Sequence, residues 1–561
     1  MTDVPFKAFT AVSALSAYIL VDHQPNLLLF SRPSYIGTFV QLWFLQFTLW
    51  AFWKVIMYPN FFSPLRHLPS PRGGSWWNGQ FARISAEPTG GPMQECIPND
   101  GLIRYQGLFN SERLVPTTAK ALSEVLVSKN YEFIKPGQIR RGIERILGVG
   151  VLLAEGDEHK TQRKNLMPAF AFRHIKDLYP TFWSKSREAV IAMTDSVMAI
   201  EQKGAISTAP ENKHTAPEPA VIEVGEWASR ATLDIIGVAG MGQDFGAIQD
   251  PNTPLNKTYR ELFKPTRQAQ ILGLLNLFLP GWIVKSLPIK RNGDIVAAAK
   301  IIRATCRQLI RAKKEKLEKN ELNDVDILSV AMESGGFTEE NLIDQLMTFL
   351  AAGHETTASA MTWAVYMLCL NPEVQSRLRA EIREKLPSVA DRDATITSQT
   401  IDHMPYLNAV CNEVLRYYPP VPLTLREAAQ DTSIAGHFIP KGTRIMLIPW
   451  AINKSESLWG PDAKQFNPDR WLPSEENPHS ANGGAPSNYS MLTFLHGPRS
   501  CIGQAFAKAE FACLLASWIG RFEFALNDEK ELDEKNMVIK GGVTARPSKG
   551  LYVKTKIVEG W

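Results

Sequence analysis

Along most of this chain, hydrophobic and polar positions alternate with the period of helices. The clearest case runs from about Thr338 to Leu370, TEENLIDQLMTFLAAGHETTASAMTWAVYMLCL. Thr338 suits an N-cap, Glu339 and Glu340 suit the positive end of the dipole, and Asn371-Pro372 stop the helix. After Leu346 the segment is apolar almost all round, which predicts a helix crossing the middle of a large protein. Pro372 opens another helix, with Val374, Leu378, Ile382 and Leu386 on one face. Leu407, Val410, Val414 and Leu415 mark a shorter one, ended by Pro419-Pro420. Short β segments are expected near Thr432–Ile439 and Arg444–Pro449, split by the turn Pro440-Lys441-Gly442. Lys203–Pro219 and Pro473–Ser490 read as surface loops. No internal repeat is visible. From about residue 75 the pattern predicts one large domain.

The amino end has a different texture. From Ile36 to Trp53 no residue is charged, and the apolar run continues past Lys54 to Tyr58. At about 1.5 Å rise per residue, residues 36–58 reach roughly 35 Å, enough to span a bilayer with some tilt. Trp43, Trp50, Trp53 and Tyr58 suit interfacial positions, and Lys54 can snorkel. Gln41 and Gln46 fit a buried core helix as well. A second apolar stretch, Ala8–Val21, is stopped by Asp22, His23 and Pro25 and is too short to span comfortably; it reads as interfacial or as half of a hairpin. Lys54, Arg66, Arg72 and Arg83 follow the span while Lys7 and Arg32 precede it, which predicts a single-pass anchor with the large domain on the cytoplasmic side. Residues 59–74, with Pro64, Pro69 and Pro71, predict a stiff, extended neck. The boundaries expected are an anchor region at 1–58, the neck at 59–74 and the main domain at 75–561.

Composition narrows the classes. Of 561 residues, 45% are hydrophobic and 21% charged, as in a globular protein. Sixty-one basic against 57 acidic residues give +4, too little for a nucleic-acid binder of this size. The six cysteines are scattered with no CxxC pair, which argues against a disulfide scaffold or zinc ribbon and fits a reducing compartment.

One cysteine stands apart. In Phe494-Leu-His-Gly497-Pro-Arg499-Ser-Cys501-Ile-Gly503 two glycines flank Cys501, allowing a tight turn and close backbone approach to a flat partner. Backbone N–H groups and the helix that follows would stabilise a thiolate, and Arg499 supplies a cation nearby. The ordinary fate of a free cysteine is a small buried side chain, and that is the reading for the other five. The pattern F-x-x-G-x-R-x-C-x-G, however, resembles the haem-binding loop of the cytochrome P-450 family. The resemblance implies that Cys501 is the axial thiolate ligand of haem iron, with Phe494 near the sulfur, Arg499 on a haem propionate, and Gly497 and Gly503 shaping the loop.

Other segments carry the resemblance over about 350 residues. Glu413-Val-Leu-Arg416 is similar to the family's E-x-x-R pair, whose i, i+3 spacing puts both side chains on one helical face. With Arg470 of Phe466-Asn-Pro-Asp-Arg470-Trp471 it implies a buried charge network holding the cysteine loop. Arg426 matches the family's propionate arginine. Gly156-Asp-Glu-His159-Lys-Thr-Gln-Arg163 resembles W-x-x-x-R, with His159 where tryptophan is usual, an exposed helix histidine being the plainer alternative. Ala352-Gly353-His354-Glu355-Thr356-Thr357 resembles the oxygen-activation segment: Thr356 faces dioxygen, Glu355 is the proton-relay acid, and Ala352 and Gly353 make room. Taken alone, that string also fits a kinked helix with satisfied hydroxyls.

The resemblance implies a mainly α fold with a small β-rich lobe, the cytochrome P-450 fold, preceded by a transmembrane helix. It implies haem b and monooxygenation of a lipophilic small molecule, with electrons from NADPH through cytochrome P-450 reductase and a b-type cytochrome as a second donor. Endoplasmic-reticulum membrane and fungal secondary metabolism (terpenoid, polyketide or alkaloid) follow by analogy. Two rivals are a haem-thiolate isomerase or dehydratase that uses no O2, and a non-catalytic haem sensor or electron carrier. The acid–threonine pair disfavours both. Finally, Ile271–Ile283 is too apolar for an ordinary loop and is expected either to dip into the membrane or to be buried.

Overall fold

A computed structural model describes residues 5–23, 34–87, 90–95, 97, 99–207, 219–264, 266–279, 281–319, 326–475, 480–541 and 543–561. The long helix forms over Glu339–Leu370, and the Thr338 hydroxyl accepts from the Asn341 amide at its start. From Gln345 to Cys369 every side chain is buried except Ala352, Gly353 and Thr356. That single accessible stripe, at i, i+1 and i+4, lies on one face of an otherwise core helix. Helices Val224–Met241, Pro372–Lys385, Pro405–Tyr417 and Gln504–Arg521 pack around it.

The β-rich part is small. In chain order the strands are β1 (Leu102–Gln106), β2 (Glu112–Pro116), β3 (Phe133–Ile134), β4 (Ala220–Glu223), β5 (Thr424–Ala428) and β6 (Thr432–Ile434). They continue with β7 (His437–Ile439), β8 (Arg444–Leu447), β9 (Phe522–Leu526), β10 (Ile539–Gly541), β11 (Ala545–Pro547) and β12 (Tyr552–Ile557). The main sheet has the order β1-β2-β8-β5-β3, a second sheet β4-β12-β9, and β6-β7 and β10-β11 are separate hairpins. The segment expected as one strand at Thr432–Ile439 is therefore a hairpin. Its turn has Ala435 at φ 51° and Gly436 at φ 88°, the left-handed pair a tight two-residue connection needs.

The neck is not an extended spacer. The apolar helix Tyr35–Phe52 runs on as wide π turns over Trp53–Phe62, with Pro59 inside. Ser63 N–H then reaches back to the Tyr58 carbonyl at 2.8 Å. Beyond it, Leu65 and Leu68 are buried among Leu102, Leu114 and Ile445 of the main sheet. Burial of two leucines outweighs the proline stiffness, so the segment folds into turns against the lobe. Arg104 holds the Pro59 carbonyl at 2.6 Å and Asn110 the Val55 carbonyl at 2.8 Å, clamping the anchor's end to the body. Of the expected loops, 203–207 belongs to helix Tyr179–Ser207, 208–218 lies outside the described residues, and 480–490 carries short 3-10 turns.

Glu413 and Arg416 are fully buried and form a bidentate pair at 2.7 and 2.8 Å. Arg470 Nε reaches Glu413 at 3.1 Å, and Trp471 Nε1 and the Asn467 amide complete the carboxylate's shell at 2.9 and 2.7 Å. Arg416 also donates to the carbonyls of Asn453, Ala463 and Gln465. Asn453 in turn donates to Thr493 Oγ1 at 2.9 Å and accepts from the Leu492 amide at 2.8 Å. The network thus ends one residue before Phe494. Glu413→Ala leaves the fully buried Arg416 guanidinium without its carboxylate, while Arg470 keeps Asp462, and is expected to cost about 3–5 kcal/mol. Denaturant unfolding reads this; a loss below about 1 kcal/mol would contradict the network's weight.

Candidate active site

The cysteine loop is shaped by one steric demand. Gly497 has φ 76°, and a Cβ there would stand 2.2 Å from the Leu126 carbonyl oxygen, so only glycine fits. A single 3-10 turn, Gly497–Arg499, follows, and the Cys501 amide closes the loop by donating to the Phe494 carbonyl at 2.8 Å. Gly503 is different: a Cβ there would meet only Phe170 Cε1 at 3.7 Å, so the protein itself does not exclude a side chain. Phe170 packs edge-on against Phe349 of the long helix, at 5.4 Å between centroids. The loop and the long helix therefore meet across one ring.

Cys501 lies deep in the body, yet its side chain borders open space. Desolvation pushes the thiol up, while a backbone hydrogen bond from Gly503 and the Arg163 charge pull it down. The other described cysteines, Cys306, Cys369, Cys411 and Cys513, are buried, and desolvation pushes them up, Cys306 and Cys369 to about 12. The cation that acts on Cys501 is Arg163, and not Arg499 as the sequence suggests. Arg163 Nη1 donates to the Ser500 carbonyl at 2.6 Å and Nη2 to Ser500 Oγ at 3.3 Å.

Arg499 turns away, into a group of cations. It pairs with Glu155 and lies over the Tyr131 ring at 4.9 Å, while its buried Nε and Nη1 have no hydrogen-bond partner among the described residues. Arg426 is buried nearby; burial first, and then the Arg499 charge, lower it to about 10. Lys135, absent from the sequence reading, is lowered to about 7 by burial and by Arg426, against the opposing pull of Glu155. His159 is buried, with Nδ1 3.1 Å from the Tyr131 hydroxyl. Burial and the Arg499, Lys135 and Arg163 charges lower it to about 4, which leaves it neutral. Glu155, the carboxylate among these groups, was also missed: it accepts from the Lys135 amide at 2.9 Å. A buried set of cations with unused donors and mutual repulsion fits a ligand that brings carboxylates. The two propionates of haem have that chemistry, and the accessible sulfur of Cys501 has the chemistry of its axial ligand.

On the long helix, Thr356 Oγ1 donates to the Ala352 carbonyl at 2.7 Å and Thr357 Oγ1 to that of Gly353 at 3.4 Å. Glu355 is buried, accepts from Thr544 Oγ1 at 2.9 Å and forms an ion pair with Arg546 of β11. Ser359 Oγ and Trp363 Nε1 both donate to the Ala545 carbonyl, at 2.8 and 2.9 Å. The hairpin β10-β11 therefore fastens the helix where the expected acid sits. Neither Thr544 nor Arg546 carries a sequence signal.

His354 points the other way, into the core, edge-on to the Tyr259 ring at 4.7 Å. Burial lowers it to about 4 from 6.5. Between these values the unfolded chain binds a proton that the folded one does not, so stability is lost as pH falls from about 6.5 to 4. The loss is on the order of 3 kcal/mol. His354→Phe is expected to flatten that slope in urea unfolding at a series of pH values; an unchanged slope would show that the acid limb arises elsewhere.

The cytochrome P450 family profile matches residues 107–554 of the chain. Cytochrome P450 monooxygenase sphH of Aspergillus fumigatus is 48% identical over 518 residues, covering 91% of each chain. FUM15 of Gibberella moniliformis is 46% identical over 549 residues, 90% of each. ALT8 of Alternaria alternata is 44% identical over 561 residues, 91% of this chain and 93% of its own. Both of the latter are also named cytochrome P450 monooxygenases.

Proposed function

The chain belongs to the cytochrome P450 family and is a haem-thiolate monooxygenase similar to fungal enzymes, and from that premise we propose which of its residues do the work and on what. Bound haem supplies the reduction and splitting of O2. Cys501 would hold its iron through the sulfur, with Gly497 letting the loop turn against Leu126, Gly503 leaving room for a flat ring, and the Phe494 carbonyl closing the loop by accepting from the Cys501 amide. Arg499, Arg426 and His159 would take the propionates, joined by Lys135, and Arg163, held on the Ser500 backbone, would favour the thiolate. The observation that carries this assignment is the pair of unpartnered buried nitrogens on Arg499 beside Arg426 and Lys135.

On the long helix, Ala352 and Gly353 would leave room for O2, and Thr356 would hold and pass a proton at Oγ1, restocked by Glu355. The substrate is a lipophilic small molecule of secondary metabolism: a terpenoid, polyketide or alkaloid. Electrons come from NADPH through cytochrome P-450 reductase, with a b-type cytochrome as a second donor. The helix Tyr35–Phe62 is long and apolar enough to cross a membrane, which supports anchoring in the endoplasmic reticulum with the body facing the cytoplasm. The exposed Trp282 and Ile271 favour contact of the 271–283 stretch with the same membrane.

The test is turnover in reconstituted vesicles with reductase and NADPH. Substrate-dependent O2 consumption that stops when either is left out supports the reading. Product formed without O2 or reductase would favour an isomerase or dehydratase instead.

A further inference from the structure

The first helix, Phe6–His23, is antiparallel to the anchor helix Tyr35–Phe52 and packs along it. Phe6 stacks on Trp43 at 6.0 Å, Phe9 meets Trp50 edge-on at 6.5 Å, and at the far end Tyr35 donates to Asp22. We propose that residues 6–62 form a two-helix membrane hairpin, so that the chain's amino terminus lies on the same side of the bilayer as the catalytic body. This rests on the reading that Tyr35–Phe62 spans the membrane.

Three observations carry it. The contact is built as helix pairs in lipid are built: Ser13 and Ala17, four residues apart, are buried against the partner helix, which contributes the buried Thr38. Close approach needs such small side chains. Polar groups between the ends are matched at two positions, although Gln41 has no side-chain partner among the described residues. Gln46 Nε2 donates to Ser13 Oγ at 3.1 Å, and Thr48 Oγ1 to the Phe44 carbonyl at 2.8 Å. In hydrocarbon an unmatched amide is costly, and the first helix removes that cost for Gln46. The outer faces, by contrast, are apolar: Val12, Leu15 and Ile19 on one helix and Val40, Phe44 and Leu49 on the other are exposed. Water would not favour such a surface, whereas acyl chains solvate it.

Charge agrees with the topology. A hairpin gathers Lys7 with Lys54, Arg66 and Arg72 at one face and leaves Asp22 and His23 at the other. Basic residues then concentrate on the cytoplasmic side more strongly than with a single span. At 18 residues the first helix is about 27 Å long, close to the hydrocarbon thickness, with Lys7 and Asp22 near its ends able to reach the interfaces.

The experiment uses the full chain with an epitope before Met1, in sealed microsomes whose cytoplasmic face is outward. After alkaline carbonate washing the protein should stay in the membrane pellet. Protease added outside should remove both the catalytic body and the epitope while a lumenal marker protein survives. If the body is digested but the epitope survives until detergent is added, the anchor is a single span and the hairpin is wrong. If carbonate releases the protein, the spanning helix itself is wrong and the hairpin falls with it.

Discussion

Cys501→Ala is expected to abolish the absorption band that thiolate ligation gives the reduced, CO-bound protein, and product formation with it. Of the described cysteines, Cys501 alone has an accessible side chain, and although desolvation raises its thiol, a backbone hydrogen bond from Gly503 and the Arg163 charge oppose that rise. The other four sit in desolvated surroundings where a thiolate is disfavoured. Cys501→His is expected to lose the band too, since imidazole does not donate electron density as thiolate does. The fold should survive in both, because the loop is closed by backbone groups: the Cys501 amide to Phe494, and Arg163 to the Ser500 carbonyl. Circular dichroism alongside the CO spectrum separates loss of ligation from loss of structure. A variant Cys501→Ala that kept the band would show that another group holds the iron.

How far the sequence reveals this site depends on the range of the interaction concerned. Local chemistry was legible. Thr338 caps the long helix and Asn371-Pro372 end it, because capping and proline act within a few residues. Glu413 and Arg416 pair because their spacing alone puts them on one face. Long-range partners were not. Lys135 and Glu155 join Arg499 from hundreds of residues away, and Arg546 reaches Glu355 from the C-terminal hairpin. Nothing in their own neighbourhoods marks them, since tertiary packing alone brings them in. The apolar window Ala8–Val21 reads as too short to span, whereas the helix that forms runs over Phe6–His23. Its suitability for lipid depends on Gln46 of another helix, which a window over residues 8–21 cannot register. In the neck, proline stiffness alone predicts an extended spacer, but burial of Leu65 and Leu68 between the prolines decides the conformation.

Thr356→Ala is expected to uncouple the enzyme without disabling it. In the structure the Thr356 hydroxyl is spent on the Ala352 carbonyl, yet its side chain lies on the accessible stripe, so a rotation would turn it toward that space. Alanine keeps the helix, having the higher propensity, and touches neither Cys501 nor the cation group. NADPH oxidation should therefore stay within about tenfold of the parent, while product per NADPH falls by a comparable or larger factor and the remainder appears as H2O2. Glu355→Ala removes the acid behind the hydroxyl and also frees Arg546 and Thr544, so it should slow turnover. Thr357→Ala should do less than either, because that hydroxyl is buried on the core side, where it faces the Gly353 carbonyl and the Glu510 carboxyl rather than the accessible stripe. The deciding quantity is product formed over NADPH consumed. Were that ratio unchanged in Thr356→Ala, the residue would be a helix-packing threonine, the accessible stripe would serve substrate alone, and an O2-independent isomerase would again account for the site.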